Sequence, residues 1–165
     1  MISRKNEKNK QNNSYHQINL GICSGFYLVR KSLLALFKNN RLLNNIYEID
    51  RVTKIIRIVN NKPINYLYID GRMFADFEQL NNIIKKTKEI NTEIKIILAI
   101  FDVCNYCIDF GQLKARCDAI VDNKINYQQL NNIMNEILKG EKQVIIKYED
   151  SKKKIRCKPL FSFIK

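Results

Sequence analysis

The sequence predicts an α/β domain built on a doubly wound, five-stranded parallel sheet with helices on both faces, plus short basic tails. Three observations predict it. Apolar runs and stretches of helical periodicity alternate five times along the chain. The apolar runs are continuous and not alternating, as strands buried on both faces require. Right-handed crossovers between such strand–helix units give a parallel sheet covered on both sides.

Each element has its own warrant. Residues 1–15 are polar and basic, have no apolar period, and read as a disordered tail. The domain follows over residues 16–141. QINLGIC (17–23) is a first strand. From Phe26 to Phe37, the residues Val29, Leu33, Leu36 and Phe37 share one helical face. Ser24 stands just ahead, where an N-cap is expected, and Asn39-Asn40 ends the helix. Ile46 to Asp50 is a second strand. Arg51 to Asn60 carries Val52, Ile55, Ile56 and Val59 at helical spacing until Pro63 breaks it. Residues 64–70 form a third strand. Phe77 to Lys88 is a third helix with Leu80, Ile83 and Ile84 inward. Ile94 to Phe101 is a fourth strand, and residues 104–116 are a weaker helix that Gly111 interrupts. Ala119 to Val121 is a short fifth strand. Asn126-Tyr-Gln-Gln129 has capping-box spacing and opens a last helix that buries Leu130, Ile133, Met134, Ile137 and Leu138, with Gly140 as its stop. Residues 142–165 depart from the pattern; two apolar segments around Asp150 to Lys154 fit a basic hairpin or a partly ordered tail.

The bulk numbers bound the function. A chain of 165 residues, 45% of them hydrophobic, suits one globular domain with extensions. No apolar run reaches the roughly 18 residues of a membrane helix, and the first ten residues lack the apolar centre of a secretory signal. No membrane partner is expected, and the expected location is cytoplasmic. The plentiful Lys, Asn, Ile and Tyr are AT-rich-codon residues, which points to a bacterial cytoplasm or a plastid stroma. The net charge of +13 implies a nucleic-acid or anionic partner. Compositional drift explains it for the middle of the chain; the basic clusters at the two ends are explained less well that way. Five cysteines, Cys23, Cys104, Cys107, Cys117 and Cys157, are an odd count that argues for reduced thiols. Cys104 and Cys107 have C-x-x-C spacing, but no second pair follows and the single histidine, His16, is remote. Small apolar fillers are the expected role, and no metal site is expected.

One position raises a chemical question. In YLYIDGRM, Asp70 follows an apolar run and precedes Gly71. A carboxylate at the carboxyl end of a central strand is where open α/β sheets keep their chemistry. The order of elements, with IDGRM at the third strand, resembles the receiver (CheY-like) domain of bacterial two-component response regulators over residues 17–141. Residues 26–36 resemble the first receiver helix. Residues 126–141 resemble the last helix of receivers that precede a NarL-type DNA-binding domain.

That resemblance implies a CheY/flavodoxin-like fold, with Asp70 as the phosphoacceptor. It also implies Mg²⁺ held by an acidic pair after strand one, with a hydroxyl after strand four and a lysine after strand five holding the phosphoryl oxygens. The chain departs from the pattern at the supporting positions. The acidic pair falls on Ser24 and Gly25, the hydroxyl on Ala99 or Ile100, and the lysine on Asn123. Lys124 is adjacent and substitutes if strand five shifts by one residue. The aromatic switch position is Ile120, and the proline after the strand-three motif is Phe74. Mg²⁺ binding is therefore expected to be lost, and no other cofactor is implied.

The expected function is a phosphorylation-independent pseudo-receiver, without enzyme activity, acting as a signalling or transcription-regulatory protein-interaction module. The expected partner is a protein or a second copy, docked through the face of helix four, strand five and helix five near Lys124 and Tyr127. Two alternatives stand beside it. One is a receiver still phosphorylated on Asp70 with help from Lys124. The other is a nucleic-acid-binding regulator that uses Lys152, Lys153, Lys154, Arg156 and Lys158, with Lys142 and Lys147 adding charge and Tyr148 or Phe161 stacking on bases.

Overall fold

The computed structural model describes residues 18–100, 113, 115–122 and 125–140. Strands β1 (Ile18–Cys23), β2 (Leu43–Ile49), β3 (Tyr66–Asp70), β4 (Lys95–Ile100) and β5 (Ala119–Asp122) alternate with helices α1 (Tyr27–Phe37), α2 (Val52–Asn61), α3 (Phe77–Ile90) and α4 (Tyr127–Leu138). A short 3-10 turn, Gly71–Met73, leaves β3. The strands form one sheet in the order β2-β1-β3-β4-β5, and every pair is parallel. This is the doubly wound architecture the sequence predicts. The chain reverses direction across the sheet between β1 and β3, which opens a crevice above their carboxyl ends.

Successive strand residues point to opposite faces, so each strand feeds two cores. One core gathers Ile55, Val59, Leu80 and Ile84 of α2 and α3 against Ile49, Ile69, Ile96 and Leu98. The other gathers Leu33 and Phe37 of α1 and Leu130, Met134 and Ile137 of α4 against Leu20, Ile22, Tyr68, Ile97 and Val121. Burial on both faces explains why the strands read as unbroken apolar runs. Cys23 and Cys117 are buried free thiols, matching the filler role expected of them. Burial pushes both thiols up, Cys117 to about 12.

Several boundaries differ from the sequence expectation for identifiable reasons. Strand β2 begins at Leu43, three residues before the expected Ile46. The extra residues include Asn44 and Asn45, which are exposed. Asn45 is held in register because its Nδ2 donates to Oδ1 of Asn19 on β1 at 3.0 Å. An edge strand has one partner and tolerates polar residues that a central strand would not. Strand β3 begins at Tyr66 and not at residue 64, since Pro63 and Asn65 are tied to Asn19 by the bonds Asn19 Nδ2 to the Pro63 carbonyl and Asn19 N to Asn65 Oδ1, each 2.8 Å. Ser24 does not cap α1; that position belongs to Phe26, which caps with no side-chain bond. The capping box at the start of α4 forms as expected, with Asn126 and Gln129 exchanging bonds, and Gly140 takes a φ of 87°.

The expected tails at 1–15 and 142–165, the pair Cys104 and Cys107, and Asn123 and Lys124 lie outside the described residues. The expected helix 104–116 also lies outside them, apart from helical residues near its end.

Asp118 closes the amino-terminal end of β5 onto β4. Its Oδ2 accepts from Ile96 N at 2.9 Å and Lys88 Nζ at 3.0 Å, and Lys95 Nζ lies 3.5 Å from Oδ1. Partial burial raises the carboxyl, but the Ile96 N–H and the two lysines outweigh it and hold Asp118 below its ordinary value. A depressed carboxylate contributes stability above its unfolded value of roughly 3.9, and loses it as pH falls through the lower folded value. Asp118→Asn therefore lowers the melting temperature at neutral pH, and its difference from wild type vanishes in acid. Thermal melts from pH 7 down to pH 2 read both limbs.

Candidate functional site

The site is the carboxyl end of β3, where four segments meet. Strand β3 carries Asp70 up to the crevice, with its side chain 1% exposed. A buried carboxylate is tolerated only when paired and hydrogen-bonded, and here the turn that follows supplies the partner. Gly71 lets the chain fold into the 3-10 turn, which returns the Arg72 N–H to Asp70 Oδ1 at 3.1 Å. The same turn swings the Arg72 side chain back over the carboxylate. Its Nε donates to Oδ1 at 2.9 Å and its Nη2 to Oδ2 at 2.8 Å. This is a two-pronged guanidinium–carboxylate pair, the strongest geometry open to these groups. The bond to Asp70 holds the Arg72 guanidinium above its already high ordinary value.

The β1–α1 connection completes the enclosure. Ser24, fully buried, donates its hydroxyl to Asp70 Oδ2 at 2.8 Å. The Ser24 Oγ in turn accepts from the Phe26 N–H at 3.3 Å. The Phe26 ring then covers the guanidinium, with Arg72 Cζ 4.5 Å from its centroid. Arg30 Nη1 donates to the Ser24 carbonyl at 2.6 Å, and Glu48 on the edge strand holds Arg30 at 3.6 Å and Lys31 at 2.8 Å. Asp70 thus receives four donors, two on each oxygen, which is the full capacity of an ionised carboxylate. Burial, followed by the Asp70 charge, pushes the Tyr68 hydroxyl up.

The fold brings Asp70 and Ser24 together and places Gly25 beside them. Ala99 pairs with Asp70 across the β3–β4 register, and Ile100 ends β4, buried. Ile120 packs in the core beneath α2 and α3, and Phe74 joins the same core. The solvated strand-end acid that the bare motif suggests is not what folds: the carboxylate is enclosed. Sequence reasoning missed Arg72 and Phe26. The available signal was the Asp-Gly-Arg spacing, since a residue two positions after a strand-end Asp commonly returns its N–H to that side chain. Among the described residues no group of three or more Asp, Glu, His or Cys converges as a metal would require.

Removing one partner of a buried ion pair strands the other. Arg72→Met should therefore destabilise the domain by about 3–5 kcal/mol, and Ser24→Ala by about 1–2 kcal/mol. Asp70→Asn placed in the Arg72→Met background should recover part of the loss, because a neutral amide tolerates the vacated crevice better than a stranded charge. Denaturant unfolding of the three variants measures the coupling.

No protein-family model matches the sequence, and no curated protein is similar to it. Solved structures do match the fold. A CheY-like response-regulator receiver domain protein from Methanospirillum hungatei JF-1 superposes with a TM-score of 0.62 at 15% identity, over 76% of this chain and 96% of that one. The isolated REC domain of RcsB from Salmonella enterica serovar Typhimurium, in its apo form, gives 0.67 at 18% identity over 79% and 94%. RcsB in its complex with DNA gives 0.65 at 19% identity, and there the match spans 79% of this chain and 64% of that one. At these identities the likeness is one of fold, and this chain has the fold of the CheY-like response-regulator receiver domains.

Proposed function

We propose that this chain is a receiver-fold protein-interaction module of signalling or transcription regulation that works without phosphorylation and without enzyme activity. The observation that carries this reading is the enclosure of Asp70 by Arg72 and Ser24. A carboxylate that takes up a phosphoryl group needs a lone pair aimed at phosphorus and a cation that offsets the incoming anion. Here the lone pairs point at protein donors. The resident cation is a guanidinium, which has no open coordination position. Mg²⁺ demands about six oxygen ligands and keeps several waters; Ser24 and Gly25 offer no carboxylate for it, and Arg72 lies 2.8 Å from the oxygen it would use. The donor set fits that ion poorly. Loss of a metal's several kcal/mol in the transition state, at about 1.4 kcal/mol per tenfold, slows transfer by orders of magnitude.

Wild-type protein incubated with a small acyl phosphate and Mg²⁺ should keep its mass in intact-protein mass spectrometry. A phosphoryl adduct mapped to Asp70 would restore the phosphorylated alternative and sink this reading.

The charge supports a second activity. With +13 overall, and Lys152, Lys153, Lys154, Arg156 and Lys158 clustered near the end, the chain suits association with nucleic acid; RcsB, which shares the fold, has been solved with DNA. Binding through these residues should weaken steeply with salt. Alanine at Lys152, Lys153 and Lys154 should reduce the slope of log K against log salt by about 0.9 for each phosphate left unneutralised. A slope unchanged by the triple variant removes the tail from the interface.

A further inference from the structure

The described surface carries five exposed large apolar side chains: Phe26, Tyr27, Leu28, Ile90 and Tyr127. Ile90 lies alone at the carboxyl end of α3. The other four belong to the first turns of α1 and α4, at the crevice end of the sheet. Between those turns runs a groove of about 340 Å³, floored by Val29, Leu33, Val121, Ile125 and Leu130, with Arg72 and Tyr127 on its walls. Leu28, 77% exposed, stands one residue before Val29. Phe26 lies against Arg72. Tyr27 extends the strip to Arg30 and Lys31, whose cations sit 5.9 and 5.5 Å from its ring centroid. Exposed apolar side chains joined in this way mark interaction sites far better than singly scattered ones do.

From this we infer that the groove between α1 and α4 is a docking site for an acidic amphipathic helix of a partner protein. The inference rests on the interaction-module reading and names the partner's chemistry. An aliphatic floor of this width accepts two or three apolar side chains one helical turn apart, as helix-in-groove recognition does. The charge around it selects the occupant. No acidic side chain lines the groove, while Arg72 does. The first turns of α1 and α4 contain no acidic residue, so both helix amino-termini present positive ends to the rim. Arg30 and Lys31 add their charge beside Tyr27, with Glu48 as their shared counter-ion. A second copy of this chain is disfavoured, because two molecules each carrying +13 repel one another. Single-stranded nucleic acid would use the rings and cations, but it leaves the aliphatic floor unfilled.

The test pans a phage-displayed library of random helical peptides against the full chain. Enriched peptides should carry apolar residues at i and i+4 with acidic flanks. The best of them, made synthetically, should bind wild type and lose at least tenfold in affinity to the double variant Leu28→Asp, Tyr127→Ala. Ile90→Asp, at the other end of the molecule, should bind as wild type does. All three side chains are exposed, so melting temperatures should hold; if the double variant melts early, the single variant Leu28→Ser replaces it. Peptides without acidic excess, or peptides that bind the double variant equally, overturn the proposal. So does loss of an oligo-dT ligand, and not of peptide, in that variant, which would mark the groove as a nucleic-acid face. The outcome is separable from the preceding one: a phosphoryl group on Asp70 removes the phosphorylation-free reading and leaves the groove standing, whereas peptides indifferent to the groove remove the docking site alone.

Discussion

The bond between the Asp70 carboxylate and the Arg72 guanidinium is the constraint on which the upper face of this molecule depends. An unpaired carboxylate at 1% exposure would be untenable, so every neighbouring segment is arranged to satisfy it. The 3-10 turn exists in the form that returns Arg72 to its own strand end. The β1–α1 connection is drawn in until Ser24 reaches the same carboxylate. The amino-terminus of α1 is then set by Phe26, which both caps the helix and covers the guanidinium. One charge pair thereby fixes the mutual positions of β1, β3 and α1.

This arrangement changes what the crevice can do. A receiver fold with an open acidic cluster holds a mobile cation and can gain or lose a phosphoryl group. Here the cation is covalently part of the chain and stacked beneath an aromatic ring. Neutralisation is permanent, and the surface around it is held in one form. Arg72 serves both the carboxylate and the wall of the α1–α4 groove, so the former reaction centre and the proposed docking surface share a residue. A fold used elsewhere for transient modification becomes, in this reading, a constant platform.

Much of the fold was legible because it rests on local patterns. The capping box at Asn126 and Gln129 appears in the structure with both bonds made. The five apolar residues expected inward on the last helix are all buried, and Gly140 has the positive φ a helix stop requires. Spacing alone carries such features, since residues three or four apart on a helix are neighbours whatever the tertiary context. The misreadings fall where a distant partner decides. Leu43 to Asn45 extend β2 because Asn19, on another strand, holds them in register. Ser24 has a capping residue's chemistry, yet its hydroxyl turns inward to a carboxylate 46 positions away in sequence.

The same division holds at the site. From the sequence alone came the alternation of strands and helices, the placement of Asp70 at a strand end, and the absence of carboxylates at the positions flanking it. These follow from periodicity and residue identity, which are properties of the chain. Only the tertiary structure decided the state of Asp70. Whether Arg72 faces solvent or folds back depends on the 3-10 turn, the Phe26 ring and the desolvation of the crevice. Those three conditions exist only after β1, β3 and α1 have packed, because burial is what turns a surface arginine into the obligatory partner of an acid.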